Sequence, residues 1–177
     1  MTLLFLRHGQ TDWNLQGLFQ GQTDIPLNET GRAQARECAA ALKTHEPPVE
    51  IIYASPMLRA RETAEIVQQA LDLPIYYDDR LLERGFGTLE GTPIERFRGS
   101  GTSNRWLDEH VVGQHGGEPY ANLEKRIRSF LDDIAAKHPA QCVLAVAHGV
   151  VGRMVQHCCH FEETTRIENG TVMQFTY

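Results

Sequence analysis

Long apolar runs are missing from this 177-residue chain. The one at the start, Leu3-Leu4-Phe5-Leu6, is cut by Arg7, so it is too short for a membrane span or a signal peptide. A surplus of positive charge is missing too. Seventeen Lys and Arg stand against 23 Asp and Glu, a net charge of −6, which argues against general binding to nucleic acid or acidic membranes. Cysteine is sparse, with four residues and no export signal, so reduced thiols and a cytoplasmic location are expected. Repeats, low-complexity tracts and linkers are also absent. With this length, that predicts a single domain over residues 1–177.

A metal site is suggested only by His157-Cys158-Cys159-His160, whose contiguous residues do not match the spacing of zinc ligand pairs. Val151, Met154, Val155 and Cys158 fall at i, i+3, i+4 and i+7, which places Cys158 on the buried face of a helix. No metal and no cofactor is expected.

What is present alternates. The first strand gives way to a polar loop and then to a helix capped by Asn28 or Thr30, with Ala35, Cys38, Ala39 and Leu42 on one face. A short strand, Ile51 to Ala54, precedes a helix from about Arg59 to Leu71, and a brief strand follows at Ile75 to Tyr77. The stretch from Thr92 to Gly117 has the least regular pattern. A strong helix then runs from about Tyr120 to Lys137, striped by Leu123, Ile127, Phe130, Leu131 and Ile134. "CVLAVAHG" reads as a buried strand leading into the helix that carries Val151, and "GTVMQFTY" as a final strand. Such alternation predicts an α/β fold, a three-layer α/β/α sandwich around a mostly parallel sheet. Right-handed crossovers bring the strand C-terminal ends to one edge, where ligands bind.

The residues just after each strand are Arg7-His8-Gly9, Ser55 through Arg59, Glu83, and His148-Gly149. No Ser or Cys is evidently paired as a nucleophile, and two arginines would oppose a bound zinc ion. An oxyanion fits, because arginine forks make bidentate, charge-assisted hydrogen bonds to phosphate. A neutral imidazole can accept a phosphoryl group, a carboxylic acid can protonate the leaving alcohol, and the cations can stabilise the transition state.

The segments "LRHGQTDWN", "SPMLRARETAE", "LLERGFGTLEG" and "VAHG" resemble, in order and across nearly the whole chain, the motifs of the histidine phosphatase superfamily, the phosphoglycerate mutase-like proteins. The resemblance implies that His8 is the phosphorylated nucleophile and Glu83 the proton donor, with Arg7, Arg59 and His148 completing the phosphate pocket. It also implies phosphate contact from Asn14, substrate contact from Gln20 and Gly21, and close backbone approach at Gly149. Ser55 and Pro56 are expected to shape a turn.

Mutases and hydrolases share these motifs. A phosphatase acting on a small phosphorylated metabolite is favoured, because Phe86 replaces the mutase tyrosine, Ile94 stands where mutases place a lysine, and the insertion between Glu83 and His148 is short. Mutase-type transfer and non-catalytic phosphate binding remain the alternatives. Arg84, Arg96, Arg98 and Arg105 have two readings: recognition of a second anionic group, or a solvated loop balanced by Glu90, Glu95 and Asp108. "GQHGGEPYANLEKR" resembles the Gly-Gly-Glu-Ser segment of phosphatase-type members, with Pro119 in place of the serine.

Overall fold

The computed structural model describes residues 1–97, 109–161 and 164–177. The elements are β1 (Thr2–Arg7), α1 (Asp12–Leu15), α2 (Glu29–Leu42), β2 (Ile51–Ala54), α3 (Leu58–Leu71), β3 (Ile75–Tyr77), α4 (Glu109–Gln114), α5 (Tyr120–Lys137), β4 (Cys142–Ala147), α6 (Gly149–Cys158) and β5 (Val172–Thr176). They form one five-stranded sheet of order β3-β2-β4-β1-β5, parallel except for β5, which runs antiparallel to β1.

Period-two alternation along β1 divides the interior in two. Leu3 and Phe5 pack with Leu123, Ile127 and Phe130 of α5 and with Met154 of α6. Leu4 and Leu6 face the other way, onto Cys38 and Leu42 of α2 and Ala64 and Val67 of α3. Both faces of the sheet are therefore covered, giving the three layers expected. Cys158 is buried on α6 as the apolar spacing requires. Among the described residues, no helix is long and apolar enough to cross a membrane.

Local chemistry explains the element ends. Asn28 is the cap of α2, its side chain accepting from the Gly31 N–H at 2.9 Å. The polar loop after β1 holds the one-turn helix α1, too short to show an apolar period in the sequence. Thr11 and Asn14 cap it reciprocally. The stretch from 92 to 117, expected to be irregular, carries the 3₁₀ turn Ile94–Phe97 and the helix α4. Arg98 and Arg105 lie outside the described residues.

Candidate active site

Strand register builds the centre. Arg7 of β1 pairs with Ala147 of β4, so the next residues, His8 and His148, emerge side by side from adjacent parallel strands. Neighbouring strands lie about 4.8 Å apart, and the two imidazole centroids are 5.2 Å apart. On the other flank of β4, Ala54 pairs with Val146, which brings Ser55 to the same edge. Its Oγ lies 2.8 Å from His148 Nε2.

The protons on His8 can be assigned from its neighbours. Nδ1 lies 2.7 Å from the Gly9 carbonyl, which can only accept, so Nδ1 carries the hydrogen and Nε2 keeps a lone pair. Gly9 must be glycine there, because a Cβ would meet the Gly31 carbonyl oxygen at 2.3 Å. The Gly9 N–H donates to Thr63 Oγ1, and Asn169 Nδ2 donates to the His8 carbonyl at 3.0 Å.

A cavity of about 460 Å³ opens at this edge. Arg7, His8, Arg59 and Glu83 line it, as do Asn14, Gln20, Gly21 and Gly149. His148 is fully buried beside His8. The structure thus gathers every residue proposed for the site from the sequence. Asn14 Oδ1 accepts from the Thr11 N–H and from Asn169, which leaves Nδ2 as its donor. Gln20 is held by the Thr11 hydroxyl at 3.0 Å. Gly21 has φ +51°, and a Cβ there would collide with Glu90.

The arginines are anchored but incompletely satisfied. Arg59 Nη2 donates to the Gly21 carbonyl at 2.7 Å and Nη1 to the Thr23 carbonyl at 2.9 Å. Arg7 Nη1 donates to the Ile167 carbonyl at 2.7 Å. Among the described residues, the buried side-chain nitrogens and oxygens with no partner are Arg7 Nε, Arg59 Nε and His148 Nδ1. Orphaned buried donors are costly in a native protein. Two of them belong to arginines that line the cavity with His8, and the third to the histidine beside it.

Burial lowers both guanidinium pKa values to about 10, with Arg166 contributing at Arg7, so both stay charged at neutral pH. Burial, then Arg59 and Arg7, holds His8 well below the ordinary histidine value. Burial, then Arg59 and His8, does the same to His148. Both rings are therefore neutral at pH 7. In the unfolded chain histidines protonate as pH falls through about 6.5, whereas these two do not in the native state. Unfolded protein then binds more protons, so stability is full above that pH and declines below it, by up to about 1.4 kcal/mol per pH unit per histidine. Urea unfolding between about pH 7.5 and 5.5 is expected to show this decline, with a shallower slope in His148→Asn. A flat profile in the native protein would contradict it.

Glu83 is held by two backbone donors, Arg84 N–H to Oε1 at 2.9 Å and Val150 N–H to Oε2 at 3.2 Å. Its loop is tied down by Arg126, which makes a bidentate pair with Glu118 and reaches the Glu83 carbonyl at 3.3 Å. The Gly-Gly-Glu-Pro segment therefore anchors the acid loop to α5. Glu90 braces the other side, accepting from Gln22, Thr23 and Phe86 N–H groups.

The suggested role of Arg84 in a second anion site is not met. Arg84 is fully buried, donates to the Glu118 carbonyl at 2.8 Å and pairs with Glu109, away from the cavity lining. Arg96 is exposed and does not line the cavity. The additional cations on the cavity wall are Arg153 and Arg166. Sequence reasoning misses both, together with Asn169 and Thr63. Helical spacing could have found Arg153, which is four residues after Gly149.

A neutral, buried imidazole on the cavity wall, beside two arginines that each keep one unpartnered nitrogen at the carboxyl edge of a parallel sheet, suits an enzyme that handles phosphoryl groups. The family model for the histidine phosphatase superfamily (branch 1) matches residues 3–174. The chain belongs to that superfamily and is an enzyme of its phosphatase type. It is 41% identical over 144 residues to the Bacillus subtilis (strain 168) protein named uncharacterized phosphatase PhoE, covering 81% of this chain and 69% of that one. A mycobacterial glucosyl-3-phosphoglycerate phosphatase, solved with VO3, superposes with TM-score 0.81 at 27% identity, over 98% of this chain and 91% of that one. A phosphoglycerate mutase from Thermus thermophilus superposes with TM-score 0.73 at 30% identity, covering 98% of this chain and 92% of that one.

Proposed function

We propose that this protein hydrolyses phosphomonoesters of small metabolites through a phosphohistidine at His8 Nε2, without a metal. The observation that carries this reading is the set of three unpartnered buried donors, Arg7 Nε, Arg59 Nε and His148 Nδ1, around an unprotonated imidazole. They match the oxygens of a phosphoryl group and oppose a divalent cation.

In the first step the Nε2 lone pair forms the N–P bond as the P–O bond to the alcohol breaks. Glu83 protonates the departing alkoxide. Water then attacks phosphorus, gives a proton to the Glu83 carboxylate, and His8 departs as neutral imidazole. The arginines hold the non-bridging oxygens throughout, and their charge stabilises the transition state.

Ser55 has a part in this beyond shaping a turn. Its Oγ accepts from the Met57 N–H at 3.4 Å and lies 2.8 Å from His148 Nε2, and in this reading the hydroxyl hydrogen goes to Nε2. The imidazole proton is then on Nδ1, the atom without a partner, where it can donate to phosphate. Ser55→Ala is expected to lower kcat about fivefold to tenfold, the worth of one neutral hydrogen bond, with Ser55→Thr restoring most of it. Steady-state kinetics at pH 7 reads the effect. Full activity in Ser55→Ala would remove serine from the mechanism.

The test of the whole reading is turnover of p-nitrophenyl phosphate in excess EDTA. Release of one inorganic phosphate per nitrophenol, unchanged by chelator, is expected. Loss in EDTA with recovery on adding zinc or magnesium would overturn the metal-free mechanism, and no turnover at all would favour phosphate binding without catalysis. The similarity to a phosphoglycerate mutase keeps a second reading in view, transfer to another substrate instead of water. Isomerisation of 3-phosphoglycerate without phosphate release would establish that one.

A further inference from the structure

The backbone on either side of His8 is held by three separate elements. The His8 N–H donates to the Ala147 carbonyl of β4 at 2.9 Å. The next N–H, that of Gly9, donates to Thr63 Oγ1 of α3 at 3.1 Å, and this hydroxyl donates in turn to the Arg59 carbonyl. The third element is the turn from Glu168 to Thr171, closed by the Thr171 N–H to the Glu168 carbonyl at 3.2 Å. It leads into β5 and continues the antiparallel pairing to the end of β1. The Arg7 N–H donates to the Thr171 carbonyl at 3.2 Å, and the Gly170 N–H to the Arg7 carbonyl at 3.0 Å.

At His8 a side chain joins this ladder. Asn169 Nδ2 lies 3.0 Å from the His8 carbonyl, 3.3 Å from the Gly9 carbonyl and 3.2 Å from Asn14 Oδ1. The two carbonyls can only accept, so the atom facing them is the NH₂ nitrogen, and the amide has one possible orientation. The Gly9 carbonyl is also the one that takes the hydrogen of His8 Nδ1. A single amide therefore grips both the nucleophile's own carbonyl and the acceptor that sets its tautomer.

Resting on the phosphatase reading, we propose that Asn169 is a positioning residue for the nucleophile. It holds the Gly9 carbonyl in line with His8 Nδ1–H, so that the lone pair stays on Nε2. The hold matters most as phosphorus is attacked. Nε2 gives its lone pair to the new N–P bond, positive charge spreads over the ring, and Nδ1–H becomes a stronger donor. A carbonyl already in place stabilises that charge without having to move. Binding of the phosphoryl group has other supports. Arg7 and Arg59 are held by the Ile167, Gly21 and Thr23 carbonyls, and Asn14 Oδ1 also accepts from the Thr11 N–H. Loss of Asn169 therefore slows the chemistry and spares the binding of phosphate.

The experiment separates the two. Rapid-quench trapping with ³²P-labelled p-nitrophenyl phosphate gives the rate of His8 phosphorylation, and calorimetry with inorganic phosphate gives binding. Asn169→Ala is expected to slow phosphorylation about fivefold to tenfold, the worth of one hydrogen bond, with phosphate affinity close to native. Asn169→Asp keeps the size and shape but sets an acceptor against two carbonyls, so the rate should fall further, by about tenfold to a hundredfold. Imidazole ¹⁵N shifts, with His8 assigned by its absence in His8→Ala, read the tautomer directly. Hydrogen on Nδ1 is expected in the native protein, and a mixture of tautomers in Asn169→Asp. A native phosphorylation rate in both variants overturns the proposal, and so does hydrogen held on Nδ1 alone in Asn169→Asp. A loss of rate in Asn169→Ala matched by an equal loss of phosphate affinity overturns it too, being the mark of a purely structural role. Failure of the phosphatase reading looks different: the native protein itself takes no label on His8.

Discussion

Replacing His8 by alanine is expected to abolish the covalent intermediate and reduce turnover to background. Removal of a nucleophile costs on the order of 10⁴–10⁶ in kcat. Nothing nearby can substitute. His148 is fully buried, its Nε2 is occupied by Ser55 Oγ at 2.8 Å, and the residue is not part of the cavity lining. Ser55 is fully buried and its hydroxyl is engaged with that ring. The measurement is rapid-quench trapping of ³²P from labelled substrate, with acid-labile, base-stable phosphate mapped by mass spectrometry. Label on His8 in the native protein and none in His8→Ala is the expected pair of results. Label on Ser55, or label persisting in His8→Ala, would refute the assignment. Retained binding of inorganic phosphate by His8→Ala would show that the cradle of Arg7, Arg59 and His148 survives the change.

Glu83→Gln is expected to cost about 10²–10⁴ in kcat for alkyl phosphates, the usual range for a general acid, and much less for p-nitrophenyl phosphate. The difference follows from the leaving group, since an alkoxide needs a proton and nitrophenolate departs without one. A second effect comes from the geometry. Both carboxyl oxygens accept backbone N–H groups, from Arg84 and Val150. A glutamine offers one oxygen and one NH₂, so one N–H loses its acceptor and faces a donor. Part of the loss will therefore appear with every substrate, as a modest common factor. The steepening of log kcat against leaving-group acidity isolates the proton transfer. An unchanged slope would mean that Glu83 positions the substrate and does not protonate it.

Much of this site could be read along the chain, and the rest could not, for reasons visible at particular residues. Apolar spacing located α2, α3, α5 and the strands because helix and strand periods are local properties. His8, Ser55, Arg59 and His148 could be grouped in advance because each closely follows a parallel strand, and parallel strands deliver their C-terminal ends to one edge. Arg84 shows the limit of such reasoning. It is next to Glu83 in the chain, but the two side chains go to different surroundings. Glu83 lines the cavity, while Arg84 is directed to Glu118 and Glu109.

The direction of one strand decided what remained. "GTVMQFTY" reads as a strand from its sequence, but nothing in its alternation says which way it runs. It pairs antiparallel to β1, with Val172 opposite Leu6 and Thr176 opposite Thr2. The chain just before β5 is thereby brought to the C-terminal end of β1, beside His8. That single reversal places Arg166, the Ile167 carbonyl and Asn169 at the site. That His8, Glu83, Arg7 and Arg59 gather at one edge was readable in the sequence, through local pattern and position after strands. Of the two further cations, Arg153 follows from helical spacing after Gly149, whereas Arg166 was decided by tertiary structure alone, because its place depends on long-range pairing that no local spacing encodes.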